Sequence, residues 1–169
     1  MSEVLDRLLA IAEIASVFVG FTVFVSIIAS RPAMEKYDYS FKLFHVVNLG
    51  LLVIAASFVP VVLSGYEMQE STVWRLSSSL FFVLNWVFII FANRVAQGGY
   101  RSAHARMRIM STAAWVLEPL CQIPLLLCIV GVWQDLAGSF YLTAIVAVSF
   151  QILVIFVDLA TSLITSEAS

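Results

Sequence analysis

Residues 43–64 run LFHVVNLGLLVIAASFVPVVLS, without one Asp, Glu, Lys or Arg. At 1.5 Å per residue a helix of this length crosses about 30 Å, the thickness of a bilayer's hydrocarbon core. The run is apolar on all sides and lacks the apolar/polar alternation of a barrel strand. In lipid, a helix pairs its own backbone donors and acceptors within one segment. The stretch therefore reads as a membrane-spanning helix. Comparable runs cover 8–29, 76–92, 113–133 and 140–164. The run at 76–92, which opens on Ser77-Ser78-Ser79, is the shortest, so four spans plus a re-entrant segment is the alternative to five.

Composition points the same way. Of 169 residues, 62% are hydrophobic and 12% charged, about half the charged share of a soluble domain. There are too few polar residues to coat a soluble fold, so hydrocarbon must solvate much of the surface. The expected architecture is a single all-α polytopic transmembrane bundle. A net charge of −2 carries none of the basic excess of a nucleic-acid-binding protein, so no nucleic-acid partner is expected.

The basic residues are few but clustered. Arg31, Lys36 and Lys42 fall in one connection and Arg94, Arg101, Arg106 and Arg108 in another, against Arg7 and Arg75 on the opposite side. The positive-inside rule places both basic connections in the cytoplasm, the N-terminus outside and the C-terminus inside. Glu3, Asp6, Glu67, Glu70 and Asp135 then lie outside. The acidic N-terminus and long first run are unlike a cleaved signal peptide, so the first helix is kept. The expected location is a plasma or inner membrane. Arg94, Arg101, Arg106 and Arg108 are placed to meet anionic lipid headgroups, at about 1 kcal/mol each.

Polar side chains within the runs carry the functional signal, since each is costly against acyl chains. In the first run Glu13 lies beside Ala12, Ser16 and Gly20. These small residues at four-residue spacing suit close helix packing, with Glu13 as a protonatable or ion-coordinating group at the interface. His45 and Asn48 share a face in the second run. Asn85 lies in the third, Glu118 and Gln122 are four apart in the fourth, and Gln151 and Asp158 are seven apart in the fifth. Asn48, Asn85, Glu118 and Asp158 all fall roughly 8–14 Å from the inner ends of their runs. They are expected to form one layer, either a wet cavity with His45, Glu118 and Asp158 as titrating members, or a hydrogen-bonded layer that sets register. Pro119 and Pro124 kink the fourth run and release the carbonyls of Trp115 and Leu120.

Several chemistries are set aside. Neither phosphate-binding glycine motif occurs. His45 and His104 alone make a haem or histidine-rich metal site implausible. Cys121 and Cys128 are about 10 Å apart along one helix, too far to bridge, and read as small packing residues. No cofactor, metal or catalytic residue is expected. Three functions remain. The first is a homo-oligomeric ion channel or small transporter with a carboxylate-containing, cation- or proton-selective pathway. The second is a non-conducting subunit docked on other membrane subunits. The third is a membrane-embedded lipid-modifying enzyme built on Glu118, His45 and Asp158.

Overall fold

A computed structural model describes residues 1–28, 36–97 and 107–167, with side chains described at 1–24, 42–92, 94 and 116–161. Five helices account for almost all of the described chain: α1 Ser2–Ile28, α2 Lys36–Ser64, α3 Glu70–Gln97, α4 Met107–Val130 and α5 Ala137–Glu167. No strand occurs among the described residues. Four helical segments are long and apolar enough to cross a membrane: Ser2–Phe24, Lys42–Ser64, Glu70–Ala92 and Gln134–Thr161. The described apolar stretch of α4, Val116–Val130, is shorter. The third run, the shortest in the sequence, belongs to a helical segment of spanning length. Its helix begins at Glu70, ahead of the apolar run, because polar residues outside the hydrocarbon still extend the helix.

Successive helices pack side by side, and α5 touches all four others. The short connections favour antiparallel neighbours. Between α4 and α5 the chain turns sharply. Gly131 adopts φ 83°, and its N–H and that of Val132 both reach the Leu127 carbonyl at 3.1 Å, the bonding of a glycine-terminated helix end. A single 3-10 turn, Gln134–Leu136, then leads into α5.

The core between the helices is apolar and includes Leu8, Val53, Trp74, Phe81, Leu125 and Tyr141. The outer surface is apolar too: Val17, Phe58, Val87, Ile123, Phe150 and Val157 are all exposed, at least one from each helix. A soluble monomer rarely shows such continuous apolar surface, whereas a bilayer solvates it. The molecule is compatible with a membrane protein on length, composition and surface together.

Close packing of α1 rests on a different glycine from the one expected. Gly20 is exposed and a Cβ there would meet nothing within 4 Å. Gly50 on α2 is buried, and a Cβ there would collide with Val19 of α1. Ala12 is buried in the bundle while Glu13, Ser16 and Gly20 point out of it. The expected small-residue face is therefore split, with Ala12 packing within the chain.

Gly50→Ala is expected to destabilise the protein in detergent by about 1–3 kcal/mol through overpacking. Val19→Ala in the same chain should recover most of that loss. Additive losses in the two-residue cycle would show that these helices do not meet at Gly50.

Candidate functional site

On the described part of α4, Gln122 is buried and Glu118 half-buried. Glu118 and Gln122 are four apart, so both point the same way from the helix. On α3, Ser78, Phe81 and Asn85 follow one another down the buried stripe, and Ala144, Val148 and Gln151 do so on α5. The three stripes converge on the Glu118 carboxylate. Its Oε1 accepts a hydrogen bond from Asn85 Nδ2 at 2.8 Å and one from Gln122 Nε2 at 2.6 Å. Its Oε2 accepts one from Gln151 Nε2 at 3.3 Å. Asn85 is 1% exposed and both glutamines 8%.

The result is a carboxylate clasped by three amide donors from three helices, with no cation in the set. An amide N–H can only donate, so three of the roughly four lone-pair positions of the carboxylate are occupied. One acceptor in this cage is unused: Gln122 Oε1 is buried and has no hydrogen-bond partner. Pro119 and Pro124 lie within α4, and the helix continues through both. Lacking N–H groups, they leave the Trp115 and Leu120 carbonyls without their usual helical donors.

The single expected layer resolves into separate groups. Asp158 lies seven residues beyond Gln151, about 10 Å further along α5, and pairs with Lys42 Nζ at 2.7 Å. Lys42 is therefore not a loop residue: it lies within α2 with its side chain 3% exposed, against 31% for Asp158. His45, one turn from Lys42, packs edge-on against Phe88 at 5.5 Å between ring centroids and against Phe44 at 5.9 Å. Asn48 turns back on its own helix and donates to the Phe44 carbonyl at 2.7 Å. Of the expected pathway residues, the bonds join Asn85, Glu118, Gln122 and Gln151 in one site and Asp158 in another.

Toward the opposite end of the bundle, Tyr141 donates to the Ala56 carbonyl at 2.7 Å and packs against Trp74 and Phe81. Ser57 and Ser77 are fully buried at this level, and neither hydroxyl has a hydrogen-bond partner. Neither they nor Tyr141 stand out in the sequence, because a serine or tyrosine in a membrane helix commonly bonds its own backbone or faces the interface. Cys121 and Cys128 are buried and unbridged, as their spacing requires.

Glu13 lies five residues into the apolar run 8–29 and is exposed. Ser16 beside it donates to the Ala12 carbonyl at 2.8 Å. Arg94 is exposed in the last turn of α3. Arg101 and Arg106 lie outside the described residues, as does the Arg108 side chain. Among the described residues no group of three or more His, Cys, Asp or Glu could hold a metal ion. Comparison with protein-family models, curated proteins and solved structures gives no match to this chain.

The Lys42–Asp158 pair is buried unequally, and this sets the order of its mutants. Asp158→Asn removes the carboxylate charge beside a buried ammonium and is expected to cost about 3–5 kcal/mol in unfolding measurements. Lys42→Met leaves a partly exposed carboxylate and should cost less. The reverse order would contradict the pairing.

Proposed function

We propose that the chain is a five-span membrane protein that carries protons across a plasma or inner membrane as a homo-oligomer, with Glu118 as the relay group. One observation carries this reading: a half-buried carboxylate held by amides from α3, α4 and α5. Ionisable groups inside membrane bundles are costly and typically mark ion or proton routes. The amides pack closely around both carboxylate oxygens, so a hydrated metal cation would have to displace them. A proton occupies no such volume.

The other polar groups fall on either side of Glu118 along the bundle. Ser57, Ser77 and Tyr141 lie toward the α2–α3 turn, and His45 with the Lys42–Asp158 pair lies toward the opposite end. This ordering supports a route along the interior of the chain. For the fifth span, residues 113–115 (Ala-Ala-Trp) extend the apolar stretch Val116–Val130 to spanning length. Five spans place the termini on opposite sides. Without Lys42, the remaining basic residues still favour a cytoplasmic C-terminus: Arg31, Lys36, Arg94, Arg101, Arg106 and Arg108 against Arg7 and Arg75.

Glu13 supports self-association. A carboxyl group on an outward face of an apolar run needs protein or water beside it. A second copy of α1 would bring a carboxyl group, a serine hydroxyl and an open glycine to that face, which suits close helix crossing. The competing reading is a non-conducting subunit of a larger membrane complex. It draws on the same outward face, covered by a different partner, and on the hydrogen bonds that already satisfy Glu118 within the chain.

The test is proton flux into sealed proteoliposomes holding only the purified protein, with potassium and chloride as controls. Flux of protons above empty vesicles is expected, falling to background in Glu118→Gln with the oligomeric state unchanged. Equal proton flux in parent and Glu118→Gln would rule out the relay. No flux from the parent at any pH or voltage would favour the subunit reading.

A further inference from the structure

The Gln122 carboxamide is held at one end only. Its Nε2 donates to Glu118 Oε1, while its Oε1 is buried without a partner. Most buried polar atoms are bonded, and an orphaned amide oxygen is destabilising. A half-turn of the carboxamide exchanges the two ends. It breaks no bond at the far end, because none exists there, and it presents an acceptor to Glu118 in place of a donor. That acceptor has a use only when Glu118 carries a proton, since a carboxylic acid has an O–H to donate and a carboxylate does not.

The separation fits both arrangements. At 2.6 Å, Gln122 and Glu118 are closer than an ordinary N–H···O contact, and within the range of an O–H···O bond. Asn85 differs in distance: its amide donates to the same carboxylate oxygen at 2.8 Å, an ordinary N–H···O separation.

We infer that Gln122 is the positioning residue of the proton site: its carboxamide donates to ionised Glu118 and turns over to accept from protonated Glu118. This inference rests on the reading of Glu118 as a proton-carrying group. Proton uptake forms the Glu118 O–H bond. The Gln122 N–H···O contact is replaced by an O–H···O contact, and no other atom is transferred. Gln122 thereby stabilises both forms, where a fixed donor would stabilise only the ionised one. Few titratable groups surround the pair. Cys121 is on α4 itself, and α3 faces the pair with Asn85. α5 faces it with Gln151, with Tyr141 toward one end and the Lys42-paired Asp158 toward the other.

The test is infrared pH-difference spectroscopy of the full chain in lipid vesicles, with glutamine carboxamides carrying 13C. The carboxyl band of Glu118, identified by its loss in Glu118→Gln, marks the pH at which the proton binds. A labelled glutamine band is expected to change at that same pH and to vanish from the difference spectrum in Gln122→Met. Asn85→Leu removes a donor held at an ordinary N–H···O distance and should move the carboxyl transition upward. Gln122→Met removes a partner from both forms and should move it distinctly less.

An unchanging glutamine band, or an upward move in Gln122→Met as large as in Asn85→Leu, would show a fixed donor and overturn the inference. The labelled-glutamine measurement on the parent protein needs no variant to fold. Because the spectra report protonation without transport, absence of flux would defeat the relay while leaving this result standing. Absence of any carboxyl band between about pH 4 and 10, by contrast, would defeat the proton site itself.

Discussion

A carboxylate among packed apolar helices has to find its hydrogen bonds in the protein, and this requirement organises the bundle. Three helices turn their buried stripes toward Glu118, and each supplies one amide. Apolar contacts bring α3, α4 and α5 together over long stretches but tolerate sliding, since one leucine packs much like the next. The amide bonds do not tolerate it, because a shift of one turn would leave Asn85 or Gln151 facing apolar side chains. The cage therefore fixes register in a surface that otherwise lacks direction, and the same groups that fix it form the candidate proton site.

The other buried polar groups divide the interior into levels. Lys42 and Asp158 form an ion pair between α2 and α5, and Tyr141 ties α5 to the α2 backbone at the other end. Between these ties sits Glu118, a single charge whose partners are all neutral. An ion pair inside a protein holds its charge in place. A carboxylate among amides can be neutralised by one proton without stranding a countercharge. That difference separates the proposed relay group from the ion pair.

The helices are legible in the sequence because the apolar runs are long and the charges between them few. Their ends are not, since Lys36–Phe41, Glu70–Arg75 and the last turns of α5 remain helical beyond the apolar runs. Lys42 reads as a loop residue for the same reason: a charge normally closes a hydrophobic run, and its partner lies more than a hundred residues away. The Glu118–Gln122 pair follows from four-residue spacing. The choice of Gln151 over Asp158 as the partner on α5 does not, because it depends on how far α5 is raised against α4. The face of Glu13 is equally hidden, since a membrane helix is apolar both toward lipid and toward its neighbours.

The most direct test of the cage is a double-mutant cycle between Glu118→Leu and Asn85→Leu, followed by reversible unfolding in mixed micelles. If Asn85 donates to Glu118, removing it beside the native carboxylate should cost about 0.5–3 kcal/mol more than removing it in the Glu118→Leu background. Additive losses, with no coupling between positions 85 and 118, would contradict the cage and the register built on it.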